Sequence, residues 1–144
     1  MRQLLTSCLY LTASGAASAA QTAVTGNTID TQGYEDVTII ANLGTITATG
    51  IPTLKAQQGD EDDGGDAADI EGASVVGTSD DSNKSLAIEI HRPKQRYITP
   101  VLNRATANIV VQNIIVILHN PTHVPVDQSQ IVGSVALITP ENAA

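Results

Sequence analysis

The stretch Ala107-Asn108-Ile109-Val110-Val111-Gln112-Asn113-Ile114-Ile115-Val116-Ile117-Leu118 decides how this chain folds. It is the most apolar part of the sequence and is crowded with Ile and Val. Branching at Cβ restricts χ1 in a helix and suits a pleated strand. The run therefore reads as a strand buried on both faces, although periodicity alone leaves a helix open. Upstream, the alternation at 86–91 is clear. Leu86, Ile88 and Ile90 share one face, and Ala87, Glu89 and His91 share the other. Within 96–102, Pro100 lacks an N–H, which predicts an edge position or a bulge.

The first half repeats the pattern more weakly. Val37, Ile39 and Ala41 alternate with Thr38 and Ile40, and Leu43-Gly44 predicts a break before a further strand at 45–49. At 53–58, Leu54 and Ala56 point inward, with Lys55 and Gln57 outward. Short β segments at 22–25 and 28–30 flank a Gly26-Asn27 turn. A last strand is predicted at 131–138, followed by a tail. The sum is roughly eight short strands separated by Gly- and Pro-rich breaks. It predicts an all-β antiparallel β-sandwich with a jelly-roll-like topology. The expected core includes Leu86, Ile88, Ile90, Ile109, Val111, Ile115 and Ile117.

At 144 residues the chain is sized for one domain. We assign 21–144 to it and read the Ala- and Ser-rich residues 1–20 as an extended N-terminal arm. That segment also imitates a secretory signal, with Arg2, an apolar run and Ala17-Ser18-Ala19. No stretch reaches the roughly 20 apolar residues of a membrane-spanning helix, and no membrane partner is expected. The sequence has no Phe and no Trp, and its rings are Tyr10, Tyr34 and Tyr97. Aromatic side chains supply much of the energy of cores and interfaces. A thin aliphatic β layer therefore predicts self-association, most simply a homodimer.

Nine of the fifteen acidic residues fall within 60–81, a long Asp- and Gly-rich loop. A net charge of −8 opposes general nucleic-acid binding, which needs clustered cations. Four of the seven basic residues, Arg92, Lys94, Arg96 and Arg104, fall in one short stretch. Within the loop, Asp60, Asp62, Gly65 and Glu71 match part of a calcium-loop pattern. Gly64 brings no ligand where one is needed, and the flanks read as strands rather than helices. A solvated, self-repelling loop is the simpler reading.

His119 and His123 are four apart, but Pro121 between them forbids a shared helical face. No nucleophile elbow, phosphate loop or zinc-protease motif is present. Cys8 is the single cysteine, so neither an intrachain disulfide nor a Cys-based zinc site can form. We therefore expect no enzyme, no metal and no cofactor. The candidate partner contacts are Arg92, Lys94, Arg96, Arg104, His119, Pro121, His123 and Pro125.

Three segments together resemble a family of small proteins. They are Ile29-Asp30-Thr31-Gln32-Gly33-Tyr34, then Leu54-Lys55-Ala56-Gln57-Gln58-Gly59-Asp60, then Lys94-Gln95-Arg96-Tyr97-Ile98-Thr99-Pro100-Val101 with 107–118 and His123-Val124-Pro125-Val126. The family is the capsid cement, or decoration, proteins of tailed bacteriophages, and the likeness covers roughly 25–126. It implies a β-sandwich or jelly roll, often dimeric, on the outside of an HK97-like shell. The implied partner is the major capsid protein, and the implied location is the outer capsid surface of the virion. It carries over no catalytic residues. The chain departs from the family in lacking Trp or Phe near the acidic loop. Two other classes remain: an exported β-sandwich adhesin-like subunit, and a phage tail or baseplate component.

Overall fold

The computed structural model describes residues 4–133. A single helical turn, α1 (Leu4–Ser7), leads into ten strands. These are β1 (Cys8–Ser14), β2 (Ala17–Ala20), β3 (Val24–Thr25), β4 (Ile29–Asp30), β5 (Tyr34–Ile46), β6 (Ile51–Gly59), β7 (Ala68–Val76), β8 (Ser85–His91), β9 (Tyr97–Ala105) and β10 (Ile109–Pro121). A short 3-10 turn at Ser79–Asp81 sits between β7 and β8.

Every pairing is antiparallel. One sheet, called sheet A below, runs β1-β10-β5-β8, with β2 also on β10. The other, sheet B, runs β3-β9-β6-β7, with β4 also on β9. Strands β1 and β2 occupy one position along β10, and β3 and β4 one position along β9, so ten strands fill eight positions. Numbered in chain order, those positions read 1-8-3-6 in one sheet and 2-7-4-5 in the other. This is the strand order of a jelly roll.

The two inner faces make the core. Val37, Ile39, Leu43, Leu54, Ile98, Leu102, Ile109, Val111, Ile114, Val116 and Leu118 are each at most 1 % exposed. Complete burial of one such side chain contributes about 1.5–3 kcal/mol. Inward Leu54 and Ala56, against outward Lys55 and Gln57, follow the sequence pattern.

The long strands differ from expectation in one respect. Leu43-Gly44 does not end a strand; β5 continues through it to Ile46. Between the Ile46–Ile109 and Leu43–Val111 pairs, β5 spends three steps against two on β10. This irregularity falls at Gly44, where a Cβ would lie 2.7 Å from Val110 Cγ1. The absent side chain leaves room for Val110 to cross. Between Val111 and Asn113 the mismatch reverses, two steps on β10 against one on β5. An extra residue moves every later side chain to the opposite face. The inward set therefore runs Ile109 and Val111, then Ile114, Val116 and Leu118. Ile115 and Ile117, expected in the core, are half-buried on the outer face.

Cys8–Ser14 and Ala17–Ala20, expected as part of an arm, are strands of sheet A, and Ala13 is 2 % exposed. The long acidic loop contains β7, whose Ile70, Ala73 and Val75 pack on the core. Pro100 lies inside β9 rather than on an outer strand. Its carbonyl accepts from Gly26 N at 2.8 Å, and its missing donor points the same way, into the gap between β3 and β4. Most of the last predicted strand, and the tail after it, lie outside the described residues.

Candidate partner surface

Three turns meet at one end of the sandwich. The first follows β4, where Asp30 Oδ1 accepts from Gln32 N at 3.0 Å and Gly33 turns with φ +92°. The second joins β8 to β9. Arg92 holds a left-handed φ of +51°, and its N–H donates to the Glu35 carbonyl at 2.7 Å. The third ends β10, where Thr122 N donates to the Gly33 carbonyl at 2.9 Å. The β8–β9 turn separates two open clefts, about 490 and 470 Å³ in volume. Thr31–Glu35 lines the first cleft, and Gln58 with Asp69–Glu71 lines the second.

The structure sorts the candidate contacts. Arg96 is exposed and bound to Asp30 by two N–H···O bonds of 2.8 and 2.7 Å. Its guanidinium also lies 5.1 Å over the Tyr97 ring. The Arg96 guanidinium holds the Asp30 carboxyl below the usual carboxylate range. Arg92 is exposed with a loose Glu35 contact of 3.7 Å. Lys94 is exposed beside both clefts. These three cations form one basic rim.

Arg104 does not belong to that rim. It lies in β9, with 7 % exposure. Its guanidinium donates to the carbonyls of Thr22 (2.6 Å), Ser18 (2.7 Å) and Ile109 (2.8 Å), and to Thr22 Oγ1 (3.1 Å). Its long apolar stem and forked head fit the space where β9, β10 and the 18–22 turn converge. Arg104 is an internal clamp.

His119 sits on the outer face of sheet A, half-buried. Asp36 on β5 stands directly opposite His119 on β10 and directly opposite His91 on β8. His91 Nδ1 contacts Asp36 Oδ1, and His119 Nε2 lies 2.9 Å from Thr38 Oγ1, which donates to Glu89 at 3.1 Å. Cys8 completes the row, opposite His119 on β1. Burial pushes the Cys8 thiol up, away from a reactive thiolate. Sequence reasoning placed His91 and Glu89 on one face but missed Asp36 and Thr38. Only the strand register brings them together.

Pro121 closes β10 opposite Tyr34. His123 and Pro125 are exposed, and the Val124-Pro125 peptide is cis.

The acidic loop is ordered by one of its own members. Asp66 accepts from Asp60 N at 2.8 Å and Glu61 N at 3.1 Å, which holds its carboxyl below the usual range. Asp60 reaches Gln95 Nε2 at 3.2 Å, so the loop abuts the basic rim. Glu71, the expected twelfth calcium ligand, lies on β7. Among the described residues, no group of three or more His, Cys, Asp and Glu side chains is placed to hold one metal ion. Among them also, no helix is long and apolar enough to cross a membrane.

The architecture defines a jelly-roll β-sandwich. No family model matches the sequence, and no curated protein does. Similar solved structures include a protein of the Bacillus endospore appendages, which form a novel family of disulfide-linked pili. It is 16 % identical, with TM-score 0.47, over 85 % of this chain and 93 % of that one. The SPBc2 prophage-derived protein YomS is 12 % identical, with TM-score 0.48, over 77 % of this chain and 91 % of its own. At these values neither assigns a partner or a residue role to this chain.

Proposed function

We propose that the chain is a non-catalytic structural protein of a virion, a cement protein that binds the outside of an HK97-like shell and bridges its major capsid subunits. One observation carries this reading. The segments of the family resemblance, far apart in sequence, adjoin at one end of the sandwich. Ile29 and Asp30 pair with Ile98 and Tyr97, and Gln58 and Gly59 pair with the same two residues from the other side. Gln95 N donates to Gln58 Oε1 at 3.3 Å. The resemblance thus follows adjoining strands whose inner residues are core, and their ends and connecting turns expose Asp30, Gln32, Lys94 and Arg96, the groups a lattice-binding protein would present.

The basic rim of Arg92, Lys94 and Arg96, with the neighbouring Pro121–Pro125 turn, is the proposed contact. Single exposed ion pairs contribute only about 0–1 kcal/mol each. Repetition over a lattice multiplies weak contacts through effective concentration. Self-association into a dimer belongs to the same reading.

The test is imaging of assembled particles made with and without the chain, together with their heat-induced DNA release. Density over capsid-subunit junctions, and release at a higher temperature when the chain is present, support the proposal. Location on a tail or a cell-surface fibre, or unchanged release, rejects it.

A further inference from the structure

Among the described residues, strand β1 is an edge of sheet A, with β10 as its ladder neighbour. In an antiparallel ladder alternate residues turn their N–H and C=O away from the partner strand. On β1 these are Cys8, Tyr10 and Thr12, and the Tyr10 N–H, the Thr12 N–H and the Cys8 carbonyl meet glutamine side chains. Tyr10 N donates to Gln128 Oε1 at 3.1 Å, and Thr12 N donates to Gln130 Oε1 at 2.7 Å. Gln128 Nε2 donates to the Leu5 carbonyl at 2.9 Å and also bonds the Cys8 carbonyl. The two-residue spacing on β1 is matched by the two-residue spacing of the glutamines. A primary amide carries the same donor and acceptor as a peptide group. Gln128 therefore gives Tyr10 and Cys8 what a neighbouring strand would give them.

The cover is thin. Asp127, Ser129 and Gln130 are exposed, and Gln128 is half-buried. Next to it lies an apolar hollow of about 120 Å³, lined by Leu4, Leu5, Cys8, Tyr10, Ile117 and Ile131 among others. Leu4, at its rim, is 69 % exposed.

We infer that the β1 edge accepts a strand, that Gln128 and Gln130 close it in the free chain, and that the occupant is β1 of a second copy. This rests on the self-association part of the proposed function and names its surface. A two-fold interface must be self-complementary. β1 satisfies that condition in an antiparallel register centred on Tyr10. Cys8 then faces Thr12 of the second copy, Tyr10 faces its own counterpart, and Leu9 faces Leu11 on the core side. The union covers the β1 edge of sheet A in both copies and places apolar Leu4 and Leu5 beside covered strand.

The experiment is sedimentation of the full chain over a micromolar concentration series, for the wild type, the double variant Gln128→Ala/Gln130→Ala, and that variant with Thr12→Pro added. The double variant associates at concentrations at least tenfold lower than the wild type. Thr12→Pro, which deletes an outward N–H at an edge position that tolerates proline, reverses the gain. A natively folded double variant that associates no better than the wild type overturns the inference. Weaker association also overturns it, because the exchanged element is then the 122–130 segment. If the double variant does not fold, hydrogen exchange on the wild type decides. Protection of the Tyr10 and Thr12 amides must rise with protein concentration, and concentration-independent protection overturns the inference. No shell enters these measurements, so their failure is distinct from a failure of shell binding.

Discussion

Asp30 grips Arg96 in a two-point fork, Oδ1 to Nε at 2.8 Å and Oδ2 to Nη2 at 2.7 Å, and so fastens β4 to the residue preceding β9. The fork holds the Asp30 carboxyl below its usual range and pushes the Arg96 guanidinium up. Asp30 is the group that titrates. A carboxyl with a lowered folded-state pKa stabilises above its unfolded value, about 3.9, and that contribution disappears as pH falls through the folded value. Asp30→Asn should therefore lower the melting temperature slightly at neutral pH, since both side chains are well exposed. The gap to the wild type should close below about pH 4. Thermal melts of both proteins from pH 2 to 7 check this, and a pH-independent gap contradicts it.

Neighbouring residues Ile114 and Ile115 should behave as opposites. Ile114 is fully buried between the sheets, and Ile115 is half-buried on the outer face beside Ile40 and Thr12. Ile114→Ala should cost about 2–5 kcal/mol, the range for emptying a packed core site. Ile115→Ala should cost about 1 kcal/mol, because less apolar area returns to water. Urea unfolding of both variants measures the ratio. Equal costs would mean that the irregularity between Val111 and Asn113 does not set the facing of β10.

That irregularity marks the limit of what the sequence discloses. Period-two alternation suffices for β8, where Leu86, Ile88 and Ile90 do turn inward. It suffices for Leu54 and Ala56 as well. It fails along β10, because Gln112-Asn113 does not announce an extra residue and both faces of the run are apolar. The 8–14 segment reads as an arm for a related reason. Its strand partner, β10, lies about a hundred positions away in sequence, and no local pattern reveals a pairing. At the candidate site, Arg92, Lys94 and Arg96 are exposed as the charge cluster suggests. Arg104 looks the same in a list of charges, yet the three carbonyls that bury it come from residues 18, 22 and 109.

Asp66 should govern the order of the acidic loop. Its carboxylate accepts from the Asp60 and Glu61 amides, and those two bonds lower its pKa. The anchoring is complete above the unfolded carboxyl value and is lost as pH falls through the lower folded value. Asp66→Asn keeps a similar shape but replaces a charged acceptor with a weaker neutral one. Exchange at the Asp60 and Glu61 amides should quicken in the variant, with the intrinsic pH effect corrected, while amides of β6 stay protected. Unchanged exchange at both amides would remove Asp66 from this role.

Arg104 should be the costliest surface-type residue to replace. Removing the guanidinium leaves the Ile109 carbonyl unpaired in a buried position and empties the space of the stem. Thr22 and Ser18 are exposed enough for water to replace their partner. Hydrogen bonds from a charged donor contribute about 1.5–3 kcal/mol, and an orphaned buried acceptor costs about 1–3 kcal/mol. Arg104→Met should accordingly lose about 2–4 kcal/mol, dominated by the Ile109 carbonyl. Arg104→Lys should lose less, because an ammonium can still reach one carbonyl, but it cannot span the fork between residues 22 and 109. Urea unfolding of the two variants tests the order, and a Met variant as stable as the wild type contradicts it. A rim variant separates fold from the proposed shell contact. Under that proposal, Arg104→Lys, once folded, should bind assembled shells at wild-type strength, whereas Arg92→Ala/Lys94→Ala should fold normally and bind them several-fold more weakly.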